Sequence, residues 1–441
     1  MKVLGAALSC LVLVGVGVPG CGSGRHCAET ATCACSADDD CAFVATAPCQ
    51  RAQCQVGVCG VTVVDQGTPC IGGVCDALGQ CVPDDGSGGS GGGVGGGGQT
   101  GGGGAAPERT VVDVSAGAKH TCAVVSDGTL WCWGDNSVGQ LGLGMIGGSV
   151  VAPTQVEALA GVTDVEAGDE HTCALAGGRA WCWGSNEYGE LGLGAAGAPN
   201  ANPQDTGQDG TAMALTLGGG PVSTCLQRPG GVDCWGSQLD GSIASYLAPT
   251  AIFTEEVDEI VAGGDIQCAR IGLEMRCWGA NWADQISDNP VDYETSPVQV
   301  FVGVDDIGPG SEQVCAVTGQ DVIACRGELA AMGEQGILSA VVEVELGGLH
   351  GCAVLSDKTV WCWGANSKQQ LGNASITDPW VEAPIKVEGI TGVVHLVTGR
   401  NHACTRSEDG TLTCWGDNEF GQLGNGSTSP TASPVEIDTP R

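Results

Sequence analysis

Basic side chains are scarce: 16 Lys and Arg stand against 51 Asp and Glu, a formal net charge of −35. That balance opposes phosphate backbones and anionic lipid, so nucleic acid and an electrostatically held membrane are excluded as partners. Aromatic residues make up only 4% of the chain, and no long stretch shows helical periodicity, which leaves short strands and turns. Catalytic signatures are missing too. There is no Ser-His-Asp order, no HExxH and no Gly-Lys-Ser/Thr phosphate loop, and no carboxylates pair at an informative spacing. The sequence therefore offers no catalytic residue and no cofactor or metal set.

Cysteine is abundant instead. Twenty-six thiols in 441 residues exceed what a reducing cytosol tolerates as a paired set, so the chain is expected to leave the cytoplasm. Residues 1–20 carry one Lys2, an apolar run from Val3 to Val18, and then Pro19-Gly20-Cys21. This is a signal peptide of lipoprotein type, too short for a stable span, with Cys21 as the lipidated first residue of the mature chain. Pro19 departs from the small residue usual at that place, and an ordinary cleaved signal with Cys21 paired elsewhere is the competing reading. No second long apolar segment follows, so a lipid would be the only membrane attachment, each buried methylene contributing about 0.8 kcal/mol.

Residues 21–83 form a disulfide module. Its ten cysteines, from Cys27 to Cys81, replace the core that so few large apolar residues cannot build. Zinc is not expected, since His26 is the one histidine nearby. Residues 84–107 are almost pure glycine with polar residues. A linker of that kind is a flexible tether whose ends sit roughly 25–30 Å apart.

Residues 108–441 repeat one stretch seven times. Cys122 pairs in the pattern with Cys132, Cys173 with Cys182, Cys225 with Cys234, Cys268 with Cys277, Cys315 with Cys325, Cys352 with Cys362, and Cys404 with Cys414. If each pair faces across a hairpin, the residues midway must form a turn. Spacings of ten leave three-residue loops such as Ser126-Asp127-Gly128 and Glu408-Asp409-Gly410, closed by glycine. Spacings of nine leave two-residue loops, namely Gly177-Gly178, Pro229-Gly230 and Gly272-Leu273. Counting outward by alternation puts every pair of cysteines at a non-hydrogen-bonded position, close enough for a disulfide. Gly319-Gln320-Asp321 and Ser356-Asp357-Lys358 lack the closing glycine, and their turn type stays open.

Each unit also carries a Val-rich strand ending in glycine upstream, as in Val111 to Gly117. A Gly-Gln-Leu-Gly-type loop lies downstream, as in Gly139 to Gly142, and a Pro-led strand, as in Pro153 to Val156, is expected to open the next unit. Several short strands per unit, repeated seven times, specify an all-β, seven-bladed β-propeller. The final Pro-led strand, Ser433 to Ile437, is spare on this count and is expected to complete the first blade and so close the ring. Seven small disulfide loops would each add roughly 2–3 kcal/mol.

The string GxxHTC, then DGTLWCWGxNxxGQLG, then PxxV resembles the regulator of chromosome condensation repeat family. The resemblance covers about Thr110 to Arg441, and exported, cysteine-paired bacterial members are the version it is most similar to. It is strong in units one, two, six and seven and degenerate in units three to five, where unit five has Cys325-Arg326-Gly327 in place of Cys-Trp-Gly. The family implies a seven-bladed propeller. Nucleotide exchange on a small GTPase and chromatin docking belong to its founding member and are not expected of an exported acidic chain. Some secreted members inhibit enzymes by covering an active site with one propeller face.

His120, His171, His350 and His402 recur at one repeat position that Ser223, Ile266 and Gln313 fill in the other units, so no complete ligand ring exists. The resemblance implies a structural role there, bonding to backbone. Trp131, Trp133, Trp181, Trp183, Trp361 and Trp363 are expected to pack between blades. Asp135-Asn136 and Asp417-Asn418 are expected to form turns and not a calcium loop. The sequence thus specifies an exported lipoprotein of the bacterial outer membrane or cell surface. Its monomeric propeller is expected to be a protein- or glycan-binding module without catalysis. Enzyme inhibition, a passive envelope role and a hydrolase or lyase site in the central funnel are the alternatives. Carboxylates or a His pair converging in the funnel would favour the last.

Overall fold

The computed structural model describes residues 109–439 apart from 209, 218–222, 238–244, 320 and 328–337, together with five short strands between residues 50 and 82. Cys21, the leader 1–20 and the tether 84–107 lie outside the described residues. The chain divides into two compact units, Met1–Gly103 and Gly104–Arg441. In the first, Gln50–Gln55 pairs antiparallel with Val58–Val63, bringing Cys54 opposite Cys59. Pro69–Cys70, Gly73–Cys75 and Cys81–Val82 make a second small sheet.

The second unit is a propeller of seven antiparallel sheets, each a meander in sequence order. Blade 1 runs from the innermost strand Val111–Ala116 through His120–Val125 and Thr129–Asp135 to the outer strand Ser149–Ala160. The second and third strands are the most buried, and their register is set by the cysteines. All seven pairs are disulfides with Cα–Cα separations of 4.1 Å, the short distance of a non-hydrogen-bonded pair. The half-cystines Cys122, Cys132, Cys173 and Cys182 have no exposed surface.

Turns follow loop length. Gly177 and Gly178 both take positive φ, 61° and 73°, the mirror-image turn that matches strand twist. Where the three-residue loop lacks its glycine, Asp321 and Lys358 enter the left-handed region themselves, at φ 54° and 63°. Their amides donate back to Thr318 and Leu355 at 2.8 and 2.7 Å. One glycine is indispensable for a different reason. Gly134 lies opposite His120 at φ 107°, and a Cβ there would stand 2.6 Å from the His120 Cα.

Two expectations about phase are corrected. The Pro-led strand does not open the next unit; it is the outer strand of its own blade, so Cys132 pairs with Thr154 and Cys414 with Val435. The final strand, Thr431–Glu436, therefore belongs to blade 7, and blade 1 is complete without it. Proline suits this place because an outer strand has one edge that needs no amide donor. The ring closes by packing blade 7 face to face on blade 1: Val111, Val114 and Trp133 share a core cluster with Leu412 and Leu423.

Candidate functional site: the blade clasp, the central funnel and the loop end

Fixing the cystine register decides where the other repeat residues go. In blade 1, Trp133 lies opposite Thr121 and His120 opposite Gly134. Trp133 donates through Nε1 to the Gln422 carbonyl of blade 7 at 2.9 Å, and Thr121 Oγ1 donates to the same oxygen at 2.8 Å. Trp183 and Thr172 use the Gln140 carbonyl in the same way, Trp235 and Thr224 the Glu190 carbonyl, and Trp415 the Gln370 carbonyl. Trp133, Trp183, Trp235 and Trp415 are fully buried between blades, while Trp131, Trp181 and Trp361 are partly buried against the cores beside them.

The recurrent histidines belong to this clasp. His120 Nε2 bonds Thr172 Oγ1 at 2.8 Å, His171 bonds Thr224 at 2.8 Å, and His402 bonds Thr121 at 3.0 Å, each reaching the following blade. The partner is a hydroxyl and not the backbone, which corrects the expected arrangement. Each hydroxyl gives its proton to a carbonyl, so the imidazole must donate through Nε2 and its Nδ1 is left with a bare lone pair. Burial holds His120 and His350 down at about 4 and His171 and His402 at about 3. His350 lacks its partner because Ala403 stands where blades 1, 2 and 3 have threonine, and neither of its ring nitrogens is bonded.

The innermost strands bring acidic residues together. Asp113, Asp164, Glu259, Asp306, Glu343 and His395 occupy one register position in six blades. Glu166 and Glu345 stand one step further along, level with the cystine. A funnel of about 490 Å³ is lined by Glu166, Glu259, Asp306, Glu343, Glu345 and His395, with Asp169, Asp265 and Arg400 nearer the loops.

Much of this charge has a structural task. Asp113 accepts the Val165 amide at 3.0 Å, Asp164 the Leu215 amide at 3.0 Å, Asp306 the Val344 amide at 2.8 Å, and Glu343 the Leu396 amide at 3.3 Å. Each bond ties one innermost strand to the next. Ser115 donates to Glu166 at 3.0 Å. Burial, then neighbouring carboxylates, raises Asp164, Glu166 and Glu345. Burial also pushes Asp306 and Asp169 up to about 7 and Asp265 up to about 6. Burial acts to lower His395, but its 2.9 Å bond to Glu343 outweighs this and leaves it raised. Sequence reading missed the funnel carboxylates. Their signal was present in the third residue of Val-x-Asp-Val, repeated in blades 1 and 2.

Turns between first and second strands and loops between third and outer strands emerge at the same end of the ring. Asn136 builds its loop by accepting the Leu141 amide at 3.1 Å and donating to the Met145 carbonyl at 2.9 Å, and Asn186, Asn281, Asn366 and Asn418 repeat the arrangement. Asp135 caps the same turn through Ser137 and Gln140. Among the described residues no group of three or more His, Cys, Asp or Glu is arranged to hold a metal. The loops reach across blades: Gly144 donates to Ala201, Gly194 to Leu247 and Gly426 to Val151. Among the described residues, ten of the 16 exposed large apolar side chains lie at this end, including Met145, Ile146, Tyr188, Leu193, Leu247 and Trp282. At the opposite end are the other six, Met213, Leu273 and Val302 together with Val112, Val342 and Val394 at the starts of innermost strands.

Two outcomes follow from this geometry. Ala403→Thr supplies the missing hydroxyl beside His350 and is expected to stabilise the propeller by about 1 kcal/mol in denaturant titration, the worth of one buried hydrogen bond; destabilisation would show that the clasp is not transferable. A carboxyl raised in the folded state contributes stability at low pH and loses it as pH rises through the folded value, whereas the buried imidazoles oppose this only below 6.5. With Asp306 and Asp169 at about 7, the melting temperature is expected to fall between about pH 6.5 and 8. Glu345→Gln should raise it by a few degrees at the upper end, and a profile that rises through this window would contradict the reading.

Comparison with known proteins agrees with the repeat reading. Profiles of the regulator of chromosome condensation (RCC1) repeat match residues 111–140, 162–190, 341–370 and 393–422, and a second profile of the same repeat matches 127–175, 357–405 and 409–441. The chain is 28% identical over 359 residues to the mouse E3 ubiquitin-protein ligase HERC2, covering 74% of this chain and 6% of the ligase. It spans only that small part of the ligase's length. It is 24% identical over 373 residues to the Arabidopsis thaliana Ultraviolet-B receptor UVR8, covering 76% of this chain and 71% of the receptor. Yeast RCC1 (Prp20), solved bound to Kap60, aligns with a TM-score of 0.46 at 17% identity over 75% of each chain. The matches fall on blades 1, 2, 6 and 7, and the chain carries regulator of chromosome condensation (RCC1) repeats there.

Proposed function

We propose that the chain is an exported, lipid-anchored binding protein without catalysis of its own, whose propeller engages a protein partner through its loop end. The observation that carries this is the concentration of exposed apolar and aromatic side chains on that end. Exposed apolar and aromatic side chains gathered at one end favour an interaction site there, and Trp and Tyr are the side chains that anchor interfaces most strongly. Trp282 and Tyr188 are 46% and 45% exposed on loops that the Asn-centred hydrogen bonds hold rigid. Little ordering entropy is then left to lose on binding. A glycan stacking on Trp282 is the variant of this reading, and covering an enzyme's active site is its inhibitory form.

Cysteine arithmetic supports the anchor. Once the seven pairs and the ten thiols of 27–81 are set aside, Cys10 and Cys21 remain, and Cys10 falls inside the leader. Cys21 is thereby free for lipid. A hydrolase or lyase in the funnel is the second reading, favoured by the convergence of Glu166 and Glu345. Against it stands the use of Asp113, Asp164, Asp306 and Glu343 as acceptors for strand amides. That pattern makes the acidic lining part of the ring's architecture.

A photocrosslinking side chain placed at Trp282 in the anchored protein is expected to yield a discrete protein adduct, while one placed at Lys358, at the opposite end, yields none. Equal labelling from both ends, or none from either, would sink the loop-end assignment. Cys21→Ser should release the exported protein from the membrane, and retention would remove the anchor from the account.

A further inference from the structure

The funnel carries more acid than the ring needs. Asp306 and Glu343 each hold the amide of a neighbouring innermost strand, Ser115 donates to Glu166, and Glu259 is ion-paired with Arg270 at 2.9 Å. Asp169, Asp265 and Glu345 differ. They line the same cavity, yet among the described residues no hydrogen bond or ion pair reaches their carboxylates. Arg400 attracts Asp169 without bonding to it. Glu345 is enclosed within the ring and turned to the funnel. Two more atoms of the lining are orphans: Asp265 Oδ1 and Thr398 Oγ1 are buried with no hydrogen-bond partner. Buried polar groups are nearly always paired, so several unpaired ones facing one cavity mark a place where a ligand completes the bonding.

These groups are strung along the funnel and not gathered at a point. Asp169 and Asp265 belong to the turns at the loop end, Glu345 lies opposite the half-cystine Cys352, and Glu343 lies two residues further along, opposite Val354. At roughly 3.3 Å per residue those last two levels are about 7 Å apart. The wall beside them is apolar, since Val261 and Val397 stand level with Cys268 and Cys404. Residues 218–222, the connection between the first two strands of blade 3, contain no charged side chain. A single metal ion suits this lining badly, because its carboxylates come from different blades and different levels. A slender apolar chain with positive charges at intervals suits it well.

We infer that the funnel is a binding site for a linear polyamine, an aliphatic chain bearing two or more ammonium groups, entering from the loop end. One ammonium meets Asp169 and Asp265 at the mouth, another meets Glu345 beside Glu343 and Glu166, and the methylenes between them lie against Val261 and Val397. Glu345 is raised by burial and then by Glu343, Asp306 and Glu166, and an ammonium placed among them relieves a repulsion that the chain itself leaves standing. A cavity of about 490 Å³ is within the size range of small-molecule sites. The site is separate from the exposed apolar side chains of the loop end and stands independently of what they bind.

Calorimetric titration of the full chain with spermidine tests this, at about 0.15 M salt so that diffuse attraction to an acidic surface is screened. Spermidine is expected to bind at one site and butylamine, with a single ammonium, far more weakly. Glu345→Gln, which keeps the shape and removes the charge, should weaken spermidine about tenfold while the melting transition shows a folded ring, and Asp265→Asn at the mouth should weaken it as well. Glu388→Gln, a change at an exposed carboxylate outside the funnel, should leave it unaltered. No binding of spermidine, equal binding of butylamine, or full affinity in both Glu345→Gln and Asp265→Asn would each overturn the inference.

Discussion

The cross-strand cystine at the centre of each blade is the constraint from which the rest of the propeller follows. Two strands locked at that point cannot slip, and a slip of one residue would turn every side chain to the wrong face. With Cys122 opposite Cys132, Thr121 and Trp133 necessarily share a rung, and His120 necessarily meets Gly134. Repeating the lock seven times compensates for small blades whose cores hold few large side chains. The bond acts mainly on the unfolded chain, by closing a loop of about ten residues and removing conformations that would otherwise compete.

Rigid blades still need to be joined, and the joint is polar. The carbonyls of Gln140, Glu190 and Gln422 each receive both an indole N–H and a threonine hydroxyl from the following blade. The hydroxyl in turn receives the histidine N–H. Such a chain of buried bonds is costly when broken anywhere and specific when complete. It also explains how the ring closes without exchanging a strand between its ends: the Gln422 carbonyl holds Thr121 and Trp133 just as the Gln140 carbonyl holds Thr172 and Trp183. The carboxylates of the innermost strands add a second set of ties around the funnel, at an electrostatic cost that keeps several of them raised toward neutral pH.

The covalent plan was legible in the residues themselves, because loop length and cysteine spacing change together. The phase of the repeat was not. Pro153 to Val156 reads equally well as the last strand of one unit or the first of the next, and only the ladder from Cys132 to Thr154 decides it. The histidines looked like a ligand ring because sequence shows recurrence and not partners. The bonds of His120, His171 and His402 to the following blade's threonine join residues 52, 53 and 281 positions apart and have no local signature. The funnel carboxylates escaped notice because each sits alone in its strand, and only the circular arrangement makes neighbours of Glu166 and Glu345. Blade 5 showed its departure at Arg326, where the other blades have tryptophan.

These features describe a hard ring presenting soft opportunities: an apolar loop end and an acidic funnel. The account depends on each hairpin being closed on itself. Digestion of the unreduced protein followed by mass spectrometry tests this directly. It should recover seven crosslinked peptides joining Cys122 to Cys132, Cys173 to Cys182, Cys225 to Cys234, Cys268 to Cys277, Cys315 to Cys325, Cys352 to Cys362 and Cys404 to Cys414. Free thiols at these positions, or bridges between different blades, would contradict it.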